Sequence, residues 1–337
     1  MKSILYERLG EQIFALINEN QIIELKISRF NNFALLGQEY CARIKTIDMR
    51  ISAAFLDIGD EQVILPFNAP RPKYMVEGAL VIIKIIKPKI GNKSGVVKYI
   101  GDAGSKYSKP TLIKDANPWG DWQAPVLANQ EEIELFELSL ENIQNPVIGL
   151  KNGGNIAIET TRAMTTIDID ASTRMAGGKN QNNFNHKLNI EACKEIIRQI
   201  ILRNIGGLII IDFVGAPSKL EAIDLLAILQ NELPKFGKCE ILPISKFGLC
   251  EIARAKNGAS IVEILNANLA ETIAINAINK LSKKLLIAKG NIVKLEINQS
   301  AYEFLMSWHI DWKNYIKEKI GGNYGIFPKP MEGFEII

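Results

Sequence analysis

The chain has 337 residues, 47% hydrophobic and 23% charged, which is enough to bury a domain-sized core and unlike disordered, collagenous or disulfide-scaffold usage. A net charge of +3, from 40 basic and 37 acidic residues, is too small to name a partner by itself. Cys41, Cys193, Cys239 and Cys250 stand apart, with no C-x-x-C pair and no Cys/His cluster, which suits a reducing compartment and gives no zinc signature.

In chain order, the opening MKSILYERLGEQIFALINENQIIEL carries Glu7, Arg8, Glu11 and Glu19 among its apolar positions and lacks the apolar block of a secretory leader. No stretch reaches the roughly 18 apolar residues of a membrane span, so the expectation is a cytoplasmic protein without a membrane partner. Residues 1–35 read as short runs, ILYERL, QIFALIN and QIIELKIS, and predict an N-terminal β segment. Over 36–101 the strand pattern continues through EYCARIKTID, ISAAFLDIG, QVILPF, ALVIIKIIKP and SGVVKYIG, with Gly or Pro at most joints. Five strands in so short a span predict a small closed barrel, and the OB-fold is the commonest nucleic-acid-binding one. Arg71 to Pro110 holds nine Lys/Arg against Glu77 and Asp102, a local charge of 9 − 2 = +7, which leaves 3 − 7 = −4 for all other residues. Such a stripe is the footprint of a polyanion binder, with a solvated lysine-rich surface as the plain alternative.

Residues 102–125 are rich in Gly, Pro, Ser and Lys and read as a linker or surface loop. From 126 to 337 the pattern becomes α/β. A helix over EEIELFELSLENI, a Gly153–Gly154 turn and the strands NIAIET and AMTTIDID come first. The helix over 188–204 places Ile190, Cys193, Ile197, Ile200 and Ile201 on one face. GGLIIIDF (206–213) is an unbroken apolar run of the kind buried on both faces of a sheet. A helix from Ser218 to Leu233, the strand CEILPIS, a helix over about 270–289, the strand NIVKLEIN, an aromatic-rich helix from Ser300 and a terminal strand follow. The expected fold class is therefore α/β: an N-terminal β segment with an inserted OB-fold barrel, then an α/β domain.

Asp168 and Asp170 lie two apart on one strand and share a face, and Asp212 ends the next strand after a helical crossover. A right-handed crossover makes those strands parallel and brings Asp168 and Asp212 to one carboxyl edge, where open α/β sheets bind ligands. Converging carboxylates without His or Cys suit a hard cation, Mg2+ best; the alternative is helix caps or strand-end surface residues. Asn185, His186 and the Gly/Asn-rich 176–185 segment lie beside this edge, as a closing loop or an ordinary one. His309, between Trp308 and Trp312, has the spacing of packing. GNKSG lacks the order of a phosphate-binding P-loop, and Cys193 on an apolar helix face does not support a thiol nucleophile.

TTIDIDAS (165–172), LNIEACKEIIRQIILRNIGGLIIIDF (188–213) and ISKFGLCEIARAK (244–256) resemble, in order and spacing apart from a small insertion near His186, the catalytic core of the ribonuclease E/G family. GQEYCARIKTIDMRISAAFLDIG resembles the family's OB-fold, and KLEINQSAYEFL resembles the closing region of its shorter members. The resemblance implies a Mg2+-dependent endoribonuclease that cuts single-stranded RNA, with Asp168 and Asp212 as metal-binding aspartates and Asp170 at a third catalytic position. It further implies that Phe55 stacks a base and that Lys93 faces RNA, whereas a second family aromatic is Ile64 here. At Asp170 the family has Asn, and a carboxylate cannot donate the hydrogen bond an amide gives. Only 102–125 stands where the family carries a 5′-end sensor, so loss of 5′-end sensing is expected. The cysteine pair of its zinc-linked dimer is missing, so that dimer is not expected, and another homo-oligomer stays open. The rival reading is a non-catalytic RNA-binding protein on the same scaffold.

Overall fold

The structure, a computed structural model, describes residues 1–29, 34, 36–68, 70–89, 94–116, 122–171, 180–256, 258–288 and 291–337. Three strands open the chain, β1 (Lys2–Arg8), β2 (Glu11–Asn18) and β3 (Gln21–Arg29). They are followed by β4 (Glu39–Asp48), β5 (Ala53–Asp57), β6 (Gln62–Pro66), β7 (Leu80–Lys87), β8 (Gly95–Asp102), β9 (Thr111–Lys114) and β10 (Val126–Leu127). Next come α1 (Gln130–Gln144), β11 (Val147–Gly149), β12 (Asn155–Thr160), β13 (Met164–Asp170), α2 (Asn180–Leu202), β14 (Gly207–Asp212), α3 (Lys219–Glu232), β15 (Cys239–Ile241) and β16 (Leu249–Arg254). The chain closes with α4 (Ile261–Ala267), α5 (Leu269–Ile287), β17 (Ile292–Asn298), α6 (Gln299–Ser307), α7 (Trp312–Tyr315), β18 (Asn323–Lys329) and β19 (Phe334–Ile336). Two compact units result: residues 1–4, 15–25 and 128–262, and residues 5–14, 26–127 and 263–337.

In the second unit, β4 to β8 close a five-stranded barrel. The sheet runs β5-β6-β8-β7-β4, and β4 also pairs with β5. Alternation by two drives this closure. Ala42, Ile44, Ala54, Leu56, Val63, Leu65, Val81, Ile83, Ile85 and Val97 point inward and are at most 2% exposed, while their neighbours in sequence face out. β9 joins the outer side of β4, with Tyr40 opposite Leu112. This strand lies inside the stretch expected to be only linker or loop. Four residues with Thr111 and Leu112 both exposed carry no periodic burial to announce a strand.

Elsewhere in that unit, Glu11 is fully buried between Arg8 and Arg29, and Arg29 also reaches Glu271 and Thr272. α5, α6 and the sheet β18-β17-β19 share a core of Ala274, Ile278, Leu281, Leu295, Ile297 and Leu305, which Trp312 closes by donating its indole N–H to the Leu305 carbonyl at 2.8 Å. His309 itself is exposed. Among the described residues no single helix is long and apolar enough to cross a membrane. The α4–α5 pair passes that test only jointly, with a 94° bend between its members.

Glu61, at the entry to β6, gives the barrel a testable pH response. It is 9% exposed; Oε1 accepts from the Ala34 N–H at 3.3 Å, and Oε2 is buried without a hydrogen-bond partner. Burial pushes its carboxyl above the ordinary glutamate value, against the pull of the Ala34 N–H and Lys89. A folded-state value above the unfolded one means that ionisation opposes folding at neutral pH and that the penalty fades as pH falls through the folded value. Glu61→Gln keeps the acceptor and removes the charge. It should stabilise the protein by up to about 1 kcal/mol at pH 7, and the gain should vanish toward pH ~4. Urea titrations of both proteins across that range check this; a gain that grows with acid would overturn it.

The first unit contains the sheet β11-β12-β13-β14-β16-β15, in which only β13 and β14 are parallel, joined by α2. Ile156, Ile158, Ile167, Ile169, Ile209, Ile211, Cys250 and Ile252 form its inner face and pack with Leu188, Ala192, Ile196 and Ile200 of α2 and Leu225 and Leu229 of α3. The other face is open. Leu208 is 55% exposed, so the GGLIIIDF run is not buried on both faces. Both helices lie on one side, and continuous apolar sequence cannot report that by itself. α2 also begins at Asn180, ahead of the expected 188, because the first turns are polar and carry no apolar stripe.

Candidate active site

Asp168 near the end of β13 and Asp212 at the end of β14 are direct partners across the parallel ladder. Adjacent strands stand about 4.8 Å apart, so the two carboxylates are neighbours on one face. Asp170 is two residues further along β13 on the same face. All three side chains are exposed, on the side of the sheet that no helix covers, while Ile167, Ile169 and Ile211 alternate into the core and fix their direction. The Gly153–Gly154 turn supports this strand end: Gly154 has φ +84°, and a Cβ there would stand 2.5 Å from the Asp170 carbonyl oxygen. Glu191 holds the same turn by accepting from the Lys151 N–H at 2.6 Å and the Asn152 amide at 2.7 Å.

The loop after Asp212 is built with equal care. Asn189 of α2, 1% exposed, donates to the Val214 carbonyl at 3.0 Å and accepts from the Val214 N–H at 3.1 Å. Sequence reasoning missed this residue, although a lone Asn on the apolar face of a helix is the signal that would have found it. Beyond Val214 a polar cavity of about 130 Å³ is lined by Asn185, His186, Asn189, Val214–Ser218 and Glu221. Asn185 Oδ1 and His186 Nδ1 are buried there without hydrogen-bond partners, and His186 has Glu221 at 4.0 Å and Asp224 at 3.8 Å. Asn185 and His186 thus do lie next to the carboxylate edge; residues 172–179 fall outside the described residues.

Two exposed carboxylates suit Mg2+, which takes one or two protein oxygens and keeps several waters. Among the described residues no group of three or more His, Cys, Asp or Glu is arranged to hold a metal ion, so a closed transition-metal site is not what this edge offers. Burial pushes the Cys250 thiol up to about 11 and raises Cys193 as well, leaving no thiolate nucleophile at either.

In the barrel, Phe55 stands half-buried on the outer surface, opposite Thr46 and Ile64, outside the core that Ala54 and Leu56 enter. Across the same barrel Lys114 pairs with Glu39, Glu39 with Lys84, and Lys84 with Lys98, three cations to one anion in one row. Two lysines directly opposite each other repel, a cost that a bound polyanion removes. Lys93 lies outside the described residues.

Residues 124–257 match the model of the ribonuclease E/G family. The chain is 34% identical to ribonuclease E of Haemophilus influenzae over 203 residues, 58% of this chain and 21% of that protein. It is 36% identical to ribonuclease G of Escherichia coli over 140 residues, 40% of this chain and 28% of the relative. To ribonuclease E of Buchnera aphidicola it is 35% identical over 142 residues, 39% and 14% of the two chains. The chain thus spans 14–28% of the length of these relatives. The segment that carries Asp168, Asp170 and Asp212 is the one that matches the ribonuclease E/G family.

Proposed function

We propose that this protein is an endoribonuclease of RNA processing or decay that hydrolyses single-stranded RNA in the cytoplasm, with Mg2+ held by Asp168 and Asp212. The observation that carries the reading is their direct pairing across two parallel strands on an uncovered sheet face, within the segment that matches the family. Solvent-facing carboxylates on an acidic edge repel a phosphodiester unless a cation intervenes, which is a strange arrangement for a pure binder. When bound, Mg2+ supplies charge neutralisation at the phosphate and a more acidic water.

The chain's own groups divide the remaining work. Asp168 and Asp212 offer the oxygen donors, and Asp170 stands beside them as an acceptor when ionised. On the barrel, Lys84, Lys98 and Lys114 attract the RNA backbone, while Phe55 offers a stacking surface; Lys93 adds a further positive charge in the same stretch of sequence. The non-catalytic rival draws on the carboxylate at 170, where the family has an amide.

Labelled single-stranded RNA incubated with and without Mg2+ separates the two. Internal cleavage only with the ion is the expected result, and intact RNA under both conditions would leave the binder. Binding should also weaken with salt. The slope of log affinity against log salt should be about −0.7 for each phosphate neutralised and should shallow in Lys98→Ala. A slope that the variant leaves unchanged would remove the barrel from the RNA path.

A further inference from the structure

We infer that the Ser245–Leu249 turn is a nucleobase subsite in which Phe247 stacks on a base next to the Asp168–Asp212 pair, an inference that rests on the nuclease reading above. Leu249 is the direct partner of Asp212 across β14 and β16, so Phe247, two residues earlier, stands just past the strand end that carries the carboxylate. The Phe247 ring is 85% exposed. A loose loop would give such a ring no fixed place, but this turn is tied through Ser245, Phe247, Gly248 and Leu249. Ser245 Oγ accepts from the N–H groups of Phe247 at 3.3 Å and Leu249 at 3.2 Å. The Ser245 N–H donates to the Leu249 carbonyl at 2.8 Å, and the Gly248 N–H donates to the Ser245 carbonyl at 3.0 Å.

The turn is also docked on the carboxylate strand. The Phe213 N–H, next to Asp212, donates to the Gly248 carbonyl at 3.1 Å. Gly248 has φ +87°, and a Cβ there would meet the Phe213 carbonyl oxygen at 3.3 Å and Ala216 Cα at 3.4 Å. Glycine is required both for the left-handed backbone and for this close approach. The result is an aromatic face held in water by a rigid frame, with the exposed Lys246 beside it.

Electrostatics explains why an aromatic belongs there. The open face around it presents Asp168, Asp170, Asp212 and Glu251, all exposed, a field that repels RNA phosphates. Stacking on a ring does not depend on the sign of that field and accepts any base. Phe247 therefore holds the strand near the carboxylates by a contact that their charge does not oppose, and Lys246 is placed for the adjoining phosphate.

The test uses short single-stranded RNAs with 2-aminopurine at successive positions, first on Asp212→Asn protein so that the RNA stays whole. One position should be quenched; adding Phe247→Ala should abolish that quench, and Phe247→Trp should keep it. In the protein with Asp212 intact, Phe247→Ala should raise KM about tenfold with kcat within twofold, and an abasic nucleotide at the quenched position should erase the difference between the two proteins. Unchanged quenching and unchanged KM in Phe247→Ala would overturn the subsite. If the unsubstituted protein cuts no RNA, the nuclease reading fails, and the quenching series still decides whether Phe247 meets a base.

Discussion

Asp212→Asn and Asp168→Asn should each lower RNA cleavage by at least a thousandfold while leaving RNA affinity within about twofold of the unsubstituted protein. The size follows from charge. Removing one of two carboxylates from a hard-cation site forfeits several kcal/mol of transition-state stabilisation, at 1.36 kcal/mol per tenfold in rate. The spared affinity follows from place: these side chains sit on an open sheet face, and the phosphate-attracting lysine row is on the barrel. Neither substitution should disturb the fold, since both side chains are exposed and an amide is isosteric with a carboxylate. Single-turnover cleavage and filter binding on the same preparations give both numbers. Turnover within tenfold of the unsubstituted protein in either variant would sink the assignment.

Alternation in TTIDID put Asp168 and Asp170 on one face, and the crossover rule put Asp212 beside Asp168; the ladder pairs those two residues directly. The barrel was legible for a similar reason, because β6 and β7 alternate cleanly and Gly or Pro stands at most of the joints, although β4 is interrupted by a bulge between Ile44 and Thr46. What escaped was whatever local periodicity does not encode. That both helices leave Leu208 in solvent is a fact about layers. β9 buries too little to show a pattern. Asn189 and Phe247 are single residues whose meaning comes from partners distant in sequence: the Val214 backbone for one, the Phe213–Gly248 bond for the other.

Replacing Arg254 by methionine should destabilise the protein more than any exposed-site change considered above, by about 3–4 kcal/mol. Arg254 ends β16 at 8% exposure, paired across the sheet with Gly207 on one side and Cys239 on the other. Its guanidinium donates to the Ile205 carbonyl at 2.7 Å and the Phe236 carbonyl at 2.9 Å, so one side chain ties the entry of β14 to the end of the α3 segment. Burial pulls its pKa below the ordinary arginine value, partly offset by Glu24, yet arginine stays charged throughout the working pH range. Methionine preserves the apolar stem and strands two buried carbonyls, each costing about 1–3 kcal/mol. Lysine keeps the charge but has no planar fork to reach both oxygens, and it should fall between the two. At about 2–4 °C per kcal/mol for a unit of this size, the methionine variant should melt roughly 10 °C lower. Because β14 delivers Asp212, cleavage should fall in step with the folded fraction as temperature rises, while kcat well below the transition stays near the unsubstituted value. Calorimetry paired with cleavage rates at several temperatures tests both halves; a melting point within 2 °C of the unsubstituted protein would show that the two carbonyls find other donors.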